Sequence, residues 1–126
     1  MSKSWFNISV LTVVRSLIAA MRCAGLFGRA VKLERAGRGQ EADPILREVL
    51  TRLSSPKIDP TLPHVVSLVV SANILAAQIA LKFGDRERAR ETLRSGLAAW
   101  GSTATNSARL SETLQWARTA LQTLDS

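Results

Sequence analysis

An all-α fold is what this sequence predicts: a compact antiparallel bundle of five to six helices, built from helix-turn-helix pairs. Three observations lead there. Apolar residues recur at helical spacing along most of the chain, as in the 4,3,4,3 stripe Leu110, Leu114, Ala117, Leu121 and Leu124. Two glycine-to-leucine modules echo one another with a step of 47 residues: AGRGQEADPILREVL stands over FGDRERARETLRSGL. Finally, 126 residues, 46% of them apolar and 21% charged, give one domain's length and a globular composition.

The N-terminal segment, residues 1–24, reads as a basic, apolar helix. Val10, Val14, Leu17, Met21, Ala24, Gly28 and Val31 keep heptad spacing, and Arg15, Arg22 and Arg29 repeat every seven residues on another face. Gly25 and Gly28 are expected to divide this stretch into a leading helix and the first helix of a hairpin, with a bend between them.

The first hairpin is expected over 25–53. Gly37 closes its first helix in a left-handed conformation, and Ile45, Leu46, Val49, Leu50 and Leu53 form the stripe of its second. Pro44 has no amide hydrogen, so the regular second helix is expected to begin near Asp43. Residues 54–63, SSPKIDPTLP, contain three prolines and no periodicity, and read as a surface loop.

The second hairpin is expected over 64–100. Its first helix is apolar on nearly every face from His64 to Phe83 and should be packed on several sides, at the centre of the core. Gly84 suits a left-handed C′ position and Asp85 an N-cap. The next helix carries Ala89, Leu93, Leu97 and Trp100 on one face. GSTATNS (101–107) is expected to be a loop, and 106–124 a C-terminal capping helix, with Trp100 and Trp116 sealing the hairpin against it.

No constellation for catalysis is present. His64 is the only histidine, and neither Cys23 nor any acid stands at a metal-ligand spacing from it. Cys23 lies in a helical apolar run with no base in prospect, which describes an inert thiol. There is no GxxxxGK[ST], GxSxG or strand-borne GxGxxG motif. No enzyme activity, cofactor or metal is therefore expected.

The net charge of +7 is unevenly placed. Residues 1–33 hold Lys3, Arg15, Arg22, Arg29 and Lys32 with no acid, while the rest holds twelve bases against ten acids. Nucleic acid, met through the same arginines on its phosphates, is the second alternative and is disfavoured, because aromatics for stacking are few and no base-reading helix stands out. The first alternative for this basic, acid-free stretch is a membrane-surface or organelle-targeting helix, with an anionic membrane surface as its partner. Arg15 interrupts the apolar run and no A-x-A site follows, so the segment does not read as a secretory signal. Residues 65–81 would reach only about 26 Å against a hydrocarbon core of about 30 Å, and they contain Ser67, Ser71, Asn73 and Gln78. The reading is cytoplasmic, with peripheral membrane contact through the N-terminus as its extension.

The paired modules resemble the tetratricopeptide repeat family, helix-turn-helix units of about 34 residues that stack around a ligand-binding face. The first copy matches through Ala30, Leu33, Gly37, Ala42, Leu46 and Val49, the second through Ala76, Ala77, Ala80, Gly84, Ala89, Leu93 and Gly96. The sequence departs from the family in its longer step, in lacking the aromatic positions of the first helix, and in having no proline after the second copy. The resemblance implies a protein-interaction scaffold or adaptor whose first helices line the groove. Together with the arginine stripe it nominates Arg15, Arg22, Arg29, Leu33, Asn73, Gln78 and Lys82 as partner contacts. No carboxylate-gripping clamp carries over, so no particular peptide follows. Two repeats are fewer than a free-standing array needs, so the flanking helices or a second copy of the chain must complete the cover.

Overall fold

In the computed structural model, the structure describes residues 2–101 and 108–125, with side-chain surroundings for 10–100 and 111–125. Five helices account for them: α1 Ser2–Arg35, α2 Gly39–Leu53, α3 Pro63–Lys82, α4 Arg86–Gly101 and α5 Ala108–Asp125. Helices α1 and α2 form one antiparallel pair and α3 and α4 a second. Both α1 and α2 pack on α3, and α5 packs on α4. The GSTATNS loop and the expected start of the capping helix at 106 fall largely outside the described residues.

The 47-residue echo is a geometric repeat at the turns. Gly37 (φ 77°) and Gly84 (φ 76°) are the only described residues with positive φ. Around the first, the Arg38 amide donates to the Leu33 carbonyl at 2.8 Å and the Gly37 amide to Glu34 at 3.0 Å. Around the second, Asp85 donates to Ala80 at 2.9 Å and Gly84 to Leu81 at 3.2 Å. Each is a Schellman closure that satisfies the last carbonyls of its helix, and a side chain at the glycine would be strained. The echo continues inward: Ala30 and Ala77, Ala42 and Ala89, and Leu46 and Leu93 are all fully buried.

The helix starts differ. Asp85 caps α4, its Oδ1 accepting from the Arg88 amide at 3.1 Å, as its residue type predicts. Arg38 gives α2 no side-chain cap and pairs instead with Glu41.

Helix α3 joins two cores. Val65, Ala72, Ala76 and Ile79 pack with buried residues of α1 and α2. Val66, Val70, Ile74, Ala77 and Ala80 pack with α4 and α5. Its all-round apolarity follows from cover on both sides. Gly96 of α4 permits the close approach, since a Cβ there would stand 3.2 Å from that of Asn73.

Three expectations are corrected. α1 is one continuous helix, and Gly25 and Gly28 do not divide it. A Cβ at either would touch nothing, so they are not packing residues. Their propensity cost of about 1 kcal/mol each is offset by burial of Cys23, Phe27 and Ala30 around them. α2 begins at Gly39 rather than near Asp43, so Pro44 lies inside the helix. The carbonyl it leaves without an amide partner belongs to Gln40, which is exposed to water. Trp100 packs against the second core as expected, but Trp116 is 39% exposed and is not among the residues of that core.

Ion pairs tie the layers. Asp43 of α2 accepts from Arg47 at 2.8 Å and from Arg88 of α4 at 3.0 Å. Burial pushes the Asp43 carboxyl up, but the hydrogen bonds and charges of the two arginines outweigh it and hold the group below the usual carboxylate range. Arg90 donates to the Leu124 carbonyl at 2.8 Å and Arg94 to Asp125 at 3.2 Å, fastening the C-terminal end of α5.

Candidate functional site

The feature that the bundle leaves unexplained is the N-terminal half of α1. At about 100° per residue, Val10, Val14, Leu17, Ile18 and Met21 fall within one arc of roughly 100°. That arc faces away from the protein. All five are exposed, Met21 at 74%, and Leu11 on its edge is 52% exposed. The packed face is a different one, made of Ser16, Ala20, Cys23 and Ala30, every one small and buried. The heptad stripe of large residues therefore marks the outward side, and the small-residue stripe marks the side that approaches α2 and α3.

Arg15, Arg22 and Arg29 form a line along one border of the apolar arc. All three are exposed, and among the described residues none has a carboxylate partner. The first acid of α1 is Glu34, which is already engaged by Lys82. On the other border, α1 and α3 enclose a recess of about 390 Å³ lined by Leu17, Met21, Ala24, His64 and Leu68. The ridge of α1 thus has an apolar crest, a basic flank and an apolar recess.

Ser16 explains how the basic flank is held. It is fully buried, its hydroxyl donating to the Thr12 carbonyl at 2.7 Å and accepting from the Asp59 amide at 2.8 Å. This bond pins the α2–α3 loop against α1. Cys23 lies two turns further, fully buried. Its burial pushes the thiol up; the nearby Arg52 charge opposes the change without reversing it, so the thiol stays protonated and unreactive at neutral pH.

The remaining nominated residues are dispersed. Asn73 sits in the α3–α4 layer, 4% exposed, its side-chain amide donating to the Val69 carbonyl at 2.9 Å. Burial removes it from any partner's reach, in line with a satisfied helix-interior amide. Gln78 is exposed on α3, Lys82 is exposed but paired with Glu34, and Leu33 is half-buried against the first core. The structure brings together only the arginines. Sequence reasoning placed Val10, Val14, Leu17 and Met21 on one stripe without showing that it faces outward, and it missed Arg52 and Lys57, which line one groove with Arg15 and Arg22. The spacing of Ser16, Ala20, Cys23 and Ala30 was the available signal for which face packs.

Among the described residues, no group of three His, Cys, Asp or Glu side chains is placed to hold a metal ion. Two helical stretches, Val10–Arg35 and Pro63–Lys82, are long and apolar enough to cross a membrane; the second is the core helix. No family model, no curated protein and no solved structure matches the chain.

Proposed function

We propose that the chain is a non-catalytic scaffold of tetratricopeptide-like hairpins that rests on an anionic membrane surface through α1 and offers its other helices to another protein. The carrying observation is the outward apolar arc of Val10, Val14, Leu17, Ile18 and Met21 bordered by three arginines without a carboxylate partner among the described residues. The hairpin order supports the scaffold part: first helices α1 and α3 lie side by side and α2 packs on α3, as in stacked helical hairpins.

Magnitudes indicate what drives attachment. Each large apolar side chain fully withdrawn from water contributes about 1.5–3 kcal/mol, and each arginine near an anionic leaflet about 1 kcal/mol. The apolar arc supplies the larger part of the energy. The arginines choose the surface and set the orientation, and salt screens them beyond about 8 Å.

A second copy fits the ridge less well. Two ridges packed antiparallel would set each arginine line against its equivalent, and α1 carries no acid before Glu34 to relieve the repulsion. Spanning is also disfavoured, because Arg22 near the middle of the Val10–Arg35 stretch would cost about 2.5–3.5 kcal/mol and Ser16 is already bonded to the loop.

Flotation of the full chain with phosphatidylcholine vesicles, with and without phosphatidylserine, tests the reading. Binding should require phosphatidylserine, weaken with salt, and vanish in Val14→Asp/Met21→Asp with the thermal midpoint unchanged. A chain that stays with the protein fraction throughout contradicts it. So does a concentration-dependent dimer that the same double variant dissolves, which would give the ridge to a second copy.

A further inference from the structure

We propose that the groove between α1 and the α2–α3 loop is a binding site for a phosphomonoester. The groove has a volume of about 360 Å³, within the range of small-molecule sites. Arg15 and Arg22 form one wall, and Arg52, Ser55 and Lys57 the other. Its floor is small and apolar, with Ala19 and Cys23. Four cationic residues therefore line one groove, two from α1 and two from the adjoining end of α2 and its loop, thirty or more positions away in sequence.

The acids nearby do not cancel them. Glu48 takes one nitrogen of Arg52 at 2.8 Å, with both side chains about half exposed. The Asp59 carboxylate accepts from the Thr61 amide at 2.9 Å and the Thr61 hydroxyl at 2.6 Å, and these bonds hold it below the usual carboxylate range. Arg15, Arg22 and Lys57 have no carboxylate partner among the described residues. Collecting like charges without counter-charge is unfavourable in the empty protein, so an anion bound there relieves repulsion as well as gaining contacts.

The groove is also held in shape. The buried Ser16 hydroxyl fixes Asp59, Ile58 packs into the first core, and the Ile58 amide donates to Ser55 at 3.0 Å. Lys57 is thereby carried on a braced turn. Guanidinium groups pair with the oxygens of a phosphate through two parallel hydrogen bonds, and a monoester offers three such oxygens and up to two charges. A phosphodiester or a carboxylate offers fewer of both. The site opens on the arginine flank of α1, so its lipid form, a phosphatidic acid headgroup, rests on the membrane reading above; its soluble form does not.

The full chain is measured by calorimetry with glycerol 3-phosphate, and by flotation with vesicles containing phosphatidic acid or phosphatidylserine at matched surface charge. Arg52→Gln/Lys57→Gln removes two of the cations without touching the ridge. The expected result is glycerol 3-phosphate binding and a preference for phosphatidic acid of about tenfold or more, as charge-assisted hydrogen bonds predict. Both should be lost in the double variant, while its phosphatidylserine binding persists. Equal binding to the two vesicles with no glycerol 3-phosphate affinity overturns the groove and leaves the membrane reading standing. Variant-sensitive glycerol 3-phosphate binding without vesicle binding keeps the groove, assigns it a soluble phosphate, and removes the membrane reading. Failure in both arms overturns both.

Discussion

Helices α1 and α3 are almost equally apolar, with mean hydropathy of 1.7 and 1.8 over their richest stretches, yet 17% of the first stretch is buried inside the protein and 61% of the second. Each is the first helix of its hairpin, and each ends in the same glycine-closed turn. What differs is cover. α3 lies between α1 and α2 on one side and α4 and α5 on the other, whereas over Val10–Met21 of α1 the buried residues among those described are the small ones, Ser16 and Ala20. Apolarity in α3 is therefore a packing requirement. Along Val10–Met21 of α1 the packing is done by Ser16 and Ala20, and the large residues Val10, Val14, Leu17, Ile18 and Met21 are left exposed.

The strongest contrast between the two helices comes from a charge placed in each. Val70→Asp puts a carboxylate in a fully buried site, where an unpaired polar group costs at least several kcal/mol; circular dichroism should find the chain unfolded. Val14→Asp on the crest of α1 should leave stability within about 0.5 kcal/mol in urea unfolding. Next in size are the echoed leucines. Leu46→Ala and Leu93→Ala each empty a fully buried position, and each should lower stability by about 2–5 kcal/mol, by similar amounts if the hairpins are equivalent.

The glycines give a smaller contrast of opposite sign. Gly96→Val meets Asn73 across the α3–α4 contact and should cost about 1–3 kcal/mol. Gly25→Ala fills open space on an exposed helical position and should stabilise by about 0.5–1 kcal/mol. The smallest effect is acid sensitivity at Asp43. Its folded-state acidity is stronger than that of the unfolded chain, so its contribution is present above the unfolded value of about 3.9 and is lost as the pH falls through the lower folded value. Stability measured from pH 5 downward should decline more steeply in the parent chain than in Asp43→Asn.

Much of the fold was legible because it depends on local chemistry. Gly37 and Gly84 announce left-handed closures, Asp85 announces a cap, and the Ala42/Leu46 and Ala89/Leu93 spacings announce the buried faces. The errors arose where tertiary context decides. Gly25 and Gly28 weaken a helix locally, and only the packing of Cys23, Phe27 and Ala30 keeps it whole. Pro44 is tolerated inside α2 because the carbonyl it orphans meets water. At the candidate site the arginine stripe was readable, but the outward direction of Val14, Leu17 and Met21 was not, since heptad spacing fixes which residues share a face and not what that face meets. Arg52 and Lys57 join Arg15 and Arg22 only through the loop that Ser16 pins, a contact across 43 positions of sequence.

The proposed membrane contact requires the crest of α1 to enter an anionic bilayer surface while its arginine line stays at headgroup level. Spin labels at Val14→Cys, Met21→Cys and Arg22→Cys, each in a Cys23→Ala background, read this directly through collision with oxygen and with a water-soluble nickel chelate. On phosphatidylserine vesicles the labels at 14 and 21 should become accessible to oxygen and shielded from nickel, and the label at 22 should remain accessible to nickel. Labels at 14 and 21 that stay as open to nickel as they are in buffer would contradict it.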